Sequence, residues 1–161
     1  MTAIDLERLV ELLALEPHPE GGFFAETYRS ENIEGLHRPW GTAIYYLLTP
    51  ETFSTMHRLK NDEVYHFYLG DPVEMLNCFP DGSSRVHYLG RDLEAGQSLQ
   101  HLVEKGVYQG SRLVPGGSYA LLGTTMAPGF DFADFEEGSL SELLSLYPER
   151  EDLLRALTRK P

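Results

Sequence analysis

The sequence predicts an all-β sandwich or barrel with helices at both ends, and three observations carry that reading. From Phe23 to about Phe135, short β-type runs are broken by Gly, Pro, Asn and Asp. Before this region Leu6, Leu9, Val10 and Leu13 recur at helical spacing. After it Leu140, Leu143, Leu144 and Tyr147 do the same. So many short strands in one domain imply a closed or doubly layered β architecture.

The elements follow in order. Thr2 followed by Asp5 resembles a helix-opening cap, and the first helix stops before Pro17. Strands are predicted at residues 23–29, 42–48, 52–59, 63–69, 73–79, 85–89, 99–103, 107–114, 118–126 and 131–135. Pro80, Asp81, Gly82 and Ser83 form a turn signal between two of them. In the tail, Pro148 opens a second helix that carries Leu153, Leu154 and Leu157. No repeat, linker or low-complexity segment interrupts the chain, so residues 1–161 read as a single domain.

Thirteen basic against twenty-five acidic residues give a net charge of -12. This argues against a nucleic-acid or anionic-membrane partner, because both require a basic surface. The acidic stretch from Asp131 to Glu142 reads as a solvated face that aids solubility. The single cysteine, Cys78, lies in an apolar run and reads as a buried structural thiol in a reducing compartment. The N-terminus has no basic-then-apolar design of a signal peptide and no run reaches membrane-span length, so a cytoplasmic location is expected.

The chemistry concentrates in the segment from His57 to Gly70, HRLKNDEVYHFYLG. Alternation along a strand puts His57 on one face with Thr55 and Leu59, and Glu63 on one face with Tyr65 and Phe67. If those faces line the interior, the pocket has apolar walls with one imidazole, one carboxylate and one phenol, as small-molecule sites do. His66 points the other way. In the first strand, Glu26 and Tyr28 share a face that could line a pocket mouth or a dimer seam.

His57 and Glu63, with the glycine seven residues beyond, resemble the first motif of the cupin superfamily, and VEKGVYQGSRL (103–113) resembles the second. Metal-binding members carry a histidine where this chain has Leu59 and another where it has Gln109. Leu59 cannot ligate, and an amide oxygen is a poor ligand for transition metals. No cofactor is therefore expected. A weak or adventitious divalent metal, if any, would sit on His57, Glu63 and Gln109.

More closely, the chain is similar to a small single-domain cupin family of unassigned function, often labelled predicted sugar epimerases. The segments carrying that likeness are LEPHPEGGFFAETYRS (15–30), TAIYYLLTP (42–50), the His57 stretch, GVYQGSRL and APGFDFADFE (127–136). The resemblance implies a jelly-roll barrel paired as a homodimer, and metal-free epimerase or isomerase activity on a carbohydrate-like substrate in the barrel. Such a reaction needs a base, an acid and a donor to the enolate oxygen. His57 is the expected base, with Glu63 fixing its tautomer or raising its proton affinity through proximity. Tyr65, Tyr46 and Tyr119 are expected acids, Gln109 the oxyanion donor, and Phe67, Glu26 and Tyr28 substrate-facing residues. The rivals are a metal-dependent cupin enzyme and a non-catalytic binding or sensing module. The bland readings are a structural His57–Glu63 hydrogen bond, packing roles for the strand tyrosines, and surface or loop positions for His18, His37, His87 and His101. Glu20, Gly21 and Gly22 read as a turn, and Arg58 and Arg112 fall on the face opposite His57 and Gln109.

Overall fold

A computed structural model of the chain describes residues 5–159. Eleven strands, numbered in chain order, form two antiparallel sheets. The six-stranded sheet runs β1 (Glu16–Pro17), β2 (Phe23–Arg29), β3 (Thr42–Leu48), β10 (Ala120–Met126), β5 (Glu63–Gly70) and β8 (Gln100–Val103). The five-stranded sheet runs β11 (Glu136–Glu137), β4 (Ser54–Arg58), β9 (Tyr108–Leu113), β6 (Val73–Cys78) and β7 (Ser84–Leu89). The alternation that marks these strands in the sequence decides which side chains go inside. Tyr46, Leu48, Tyr65, Phe67, Met75 and Leu122 meet between the sheets as the main core. This is the expected jelly-roll barrel with short terminal helices.

The opposite faces are covered by the helices. Helix α1 (Leu6–Leu12) lays Leu9, with Leu15 just beyond its end, on Leu47 and Leu121 of the six-stranded sheet. Asp5 is its N-cap but makes no side-chain cap bond, and Thr2 lies outside the described residues. Helices α2 (Leu140–Leu146) and α3 (Glu151–Ala156) cover the five-stranded sheet through Leu143 and Leu154, which join Met56, Leu76 and Cys78. Cys78 is free and buried, and burial pushes its thiol up to about 12. No helix among the described residues is long and apolar enough to cross a membrane.

Residues 131–135 correct the sequence reading. They do not form a strand; a 3-10 turn occupies Phe132–Asp134, and the strand is the two residues that follow. The Asp131 side chain accepts the Ala133 amide at 2.8 Å, which turns the backbone out of the extended path. Asp134 is buried, not solvated, and Arg38 grips it at 2.6 Å while also donating to the Gly129 carbonyl at 3.0 Å. The acidic segment thus begins as a strap across one end of the barrel and only later becomes a solvated face.

Candidate functional site

The strap end of the barrel gathers the polar interior. Cross-strand partners in a sheet point to the same face, so the pairings His57↔Gln109 and Gln109↔Asn77 make one polar row on the five-stranded sheet. On the facing sheet His101, Tyr65 and Thr124 form the matching row. Two side-chain bonds tie the rows together. Gln109 Nε2 donates to Glu63 Oε2 at 2.9 Å, and His101 Nε2 donates to Asn77 Oδ1 at 2.8 Å.

His57 is buried, and its Nδ1 lies 2.7 Å from the Thr55 carbonyl oxygen. A carbonyl only accepts, so Nδ1 carries the proton and Nε2 keeps the lone pair. Thr55 and not Glu63 therefore fixes the tautomer, while Glu63 acts on His57 as expected through its charge, which favours the protonated ring. Nε2 faces Glu20 instead, 3.4 Å from its Oε2. The ring is covered on one side by Phe135, stacked at 4.9 Å between centroids.

Glu20 is the candidate site residue that the sequence reading took only as part of a turn. It sits in the tight turn before β2, where Gly21 has φ 109 and packs so closely that a Cβ would overlap the Phe53 carbonyl oxygen. Only glycine fits there, and the turn it permits sends the preceding side chain into the barrel. Burial raises the Glu20 carboxyl to about 8. Burial also raises Glu63, with the charge of Glu20 adding to it. Desolvation lowers His57, against the pull of Glu63. At neutral pH the contact between His57 and Glu20 is thus a neutral acid beside a neutral imidazole, despite the ion-pair spacing.

A small cleft with about 30 Å³ of internal room, space for about one water-sized group, opens above these groups. Glu20, Glu63, Glu26, His18 and Thr124 line it with Leu59 and other apolar side chains. His57 does not line it but stands behind Glu20. His18 lies in the loop after β1, as expected, but is half-buried against the cleft and not on the surface. Its Nδ1 accepts the Glu20 amide at 3.0 Å, which leaves its other nitrogen to carry the proton, and burial lowers it to about 4. A larger groove of about 290 Å³ runs outside the barrel along residues 49–53 and 112–117. Its one arginine, Arg112, is already paired with Glu74 at 2.6 Å, so it offers no free cation.

Other expected site residues lie elsewhere. Tyr46 spends its hydroxyl proton on the Gly21 carbonyl at 2.7 Å and braces the turn. Tyr119 packs with α1 on the outside of the six-stranded sheet, Phe67 belongs to the main core, and Tyr28 is exposed. Tyr65 is buried, with burial and then the Glu63 and Glu20 carboxylates holding its phenol well above the ordinary value. Arg58 pairs with Glu136 on the outer side, and His66 faces outward to Thr125, both as expected. His87 and His101 are not isolated surface residues; their rings face each other at 4.0 Å.

The donor set does not fit a tightly held metal. Glu63 is engaged by the Gln109 amide, Gln109 turns its nitrogen inward, and Leu59 contributes only carbon. Among the described residues no group of three or more His, Cys, Asp or Glu side chains could hold a metal ion.

Comparison with known proteins agrees with the geometry. Residues 7–137 match the family described as Cupin superfamily (DUF985). The chain is 30% identical over 146 residues to the uncharacterized Saccharomyces cerevisiae protein YML079W, covering 80% of this chain and 73% of that one. The solved structure of protein SO0799 from Shewanella oneidensis superposes with a TM-score of 0.92 at 35% identity, covering 99% of this chain and all (100%) of that one. A hypothetical protein from Leishmania major follows with a TM-score of 0.88 at 33% identity, covering 98% and 100%. Bacillus subtilis oxalate decarboxylase, at 13% identity and a TM-score of 0.57 over 90% of this chain and 37% of that one, shares the fold alone.

Proposed function

The chain belongs to the cupin superfamily (DUF985), and from that premise we propose that it binds a small molecule at the barrel mouth and moves a proton on it. The reaction is metal-independent epimerisation or isomerisation of a carbohydrate-like substrate. One observation carries the reading: two buried carboxyl groups from different parts of the fold, Glu20 from the turn before β2 and Glu63 from β5, face one cleft with raised proton affinity. Acid–base chemistry at neutral pH calls for carboxyls tuned in this direction.

The roles follow from the contacts. Glu20 passes its proton to Nε2 of His57, 3.4 Å away, and the resulting carboxylate removes a proton from the carbon next to the substrate carbonyl. Glu63, its proton affinity raised by burial and its side chain held by Gln109, is the group that returns a proton to that carbon or to the carbonyl oxygen. His57 is then a positioning residue that stores the proton, and Gln109 orients Glu63 instead of holding the oxyanion. Tyr65 does not line the cleft; buried against Glu63, it keeps its phenolic proton and supports that carboxyl from behind. Glu26 at the rim contacts the substrate.

The test is solvent deuterium incorporation into free aldoses and ketoses, followed by NMR. Incorporation is expected with the wild type, lost in Glu20→Gln and Glu63→Gln, and slowed with an altered pH profile in His57→Asn. A ligand that binds without any exchange would make the protein a binding module and defeat the reading.

The same proposal includes a homodimer in the cytoplasm. Val64 and Leu102 are cross-strand partners on the outer face of β5 and β8, beside an exposed Tyr68. With Leu102 50% exposed at the sheet edge, a second copy is the natural cover. Sedimentation should show a dimer that Leu102→Asp converts to monomer; a wild-type monomer would refute it. The free, buried Cys78 suits a reducing compartment.

A further inference from the structure

Two chain connections cross between the sheets side by side at the strap end of the barrel. Because β4 pairs with β9 and β5 with β8, the β4–β5 turn (59–62) and the β8–β9 turn (104–107) are brought together. Two hydrogen bonds clasp them. The Gly106 amide donates to the Leu59 carbonyl at 2.9 Å, and the Lys105 amide donates to Asp62 Oδ1 at 2.8 Å. Each turn carries one exposed lysine, Lys60 and Lys105, two of only three lysines in a chain of net charge -12. A pocket of about 300 Å³ opens between the turns and the strap, lined by both lysines with Gly106, Arg58, Asp134 and Glu136.

The carboxylates of this pocket are already matched. Arg58 holds Glu136 with two bonds of 2.9 and 2.7 Å and lies over the Tyr108 ring. Asp134 is taken by Arg38 at 2.6 Å and by the Asn61 amide at 3.2 Å. The nearby Asp62 is engaged by the Lys105 backbone amide. The ammonium groups, by contrast, are unmatched: neither Lys60 nor Lys105 forms an ion pair among the described residues. Like charges on adjacent turns repel, and an anion between them turns that repulsion into attraction. The floor is open as well, since a Cβ at Gly106 would meet nothing within 4 Å.

We propose that this pocket is a binding site for the phosphate group of a small molecule. A lysine ammonium is a compact point charge that suits phosphate, and two of them balance a dianion. The room available fits a phosphate with a few carbon atoms attached. The acidic surface beyond the pocket repels a nucleic acid or an anionic membrane, so the occupant is small. The pocket shares only Leu59 with the cleft, and the site stands independently of the proton chemistry assigned there.

The experiment is an NMR titration of the isotope-labelled full chain with inorganic phosphate and with glycerol phosphate. Acetate and chloride at matched ionic strength are the comparators. Amide shifts should localise to residues 58–60 and 104–106, and phosphate should bind about 5-fold more tightly than acetate, the scale of one more exposed charge contact. The double variant Lys60→Gln, Lys105→Gln should weaken phosphate binding about 10-fold. Both side chains are exposed, so an unchanged melting temperature shows that the variant is folded. Phosphate shifts scattered over the surface overturn the proposal. So does acetate binding as tightly as phosphate, or a folded double variant that binds phosphate as the wild type does.

Discussion

Glu20→Gln should make the protein more stable at alkaline pH while changing little near pH 5. In the folded protein burial lifts the Glu20 carboxyl from 4.5 to about 8. Between those values the folded state holds a proton that the unfolded state has released, so stability falls as pH rises through the window. At ~1.4 kcal/mol per pH unit, a rise of that size corresponds to a loss of about 5 kcal/mol above pH 8, as a ceiling. Glutamine keeps the shape of the neutral acid and can still donate to Nε2 of His57, but it does not titrate. The difference in melting temperature between variant and wild type should therefore grow from pH 5 to pH 8 and then level off. At ~2–4 °C per kcal/mol for a domain of this size, the ceiling is about 10–20 °C. His18, His101 and Cys78 also have shifted proton affinities, but they are present in both proteins and drop out of the difference. Thermal unfolding by circular dichroism across pH 5–9 makes the measurement. A difference that stays constant over that range would refute the buried, neutral Glu20.

Two further perturbations probe how the site is held. Gly21→Ala combines a left-handed backbone with a clash against the Phe53 carbonyl. It should cost about 3 kcal/mol or more in urea unfolding and abolish ligand binding by displacing Glu20. Arg38→Met leaves the buried Asp134 carboxylate with Asn61 as its remaining donor at 3.2 Å. The expected loss is about 3 kcal/mol, and the double variant with Asp134→Asn should recover most of it, because the penalty lies in the unpaired charge. Equal losses in the single and double variants would mean that the strap is held by packing instead.

Much of the fold was readable because alternation is a local property. The β3 run TAIYYLL and the β5 run EVYHFYLG carry their inside and outside residues in order, and the structure pairs both with β10. The misreading of residues 131–135 shows the limit of that signal. Asp, Phe, Ala, Asp and Phe alternate well enough for a strand, but the partners that decide the outcome are the Ala133 amide and a guanidinium 96 residues away in sequence. Within the candidate site, His57, Glu63 and Gln109 were legible from their spacing. Glu20 and His18 were not, since their place depends on Gly21 lying against Phe53, a contact between segments more than thirty residues apart in the sequence. The available signal was a charged residue directly before two glycines at the start of a strand, which reads as a turn until the third dimension shows where the turn points.

The two departures from the superfamily pattern bear on chemistry only when taken with Glu20. Replacing ligand histidines by Leu59 and Gln109 removes two metal donors, which by itself could leave an inert barrel. Here Gln109 became a donor to Glu63 at 2.9 Å, and Glu20 came to face the one free nitrogen of His57 at 3.4 Å. Glu63 is thus already engaged by the Gln109 amide, and burial raises the proton affinity of both carboxyls, that of Glu20 to about 8. A metal would have to break the Glu63–Gln109 bond and take the proton from Glu20 before it could bind. A substrate hydroxyl or amine needs neither step, because it exchanges hydrogen bonds with the same groups as they stand. The arrangement favours ligands that trade protons over ions that displace them.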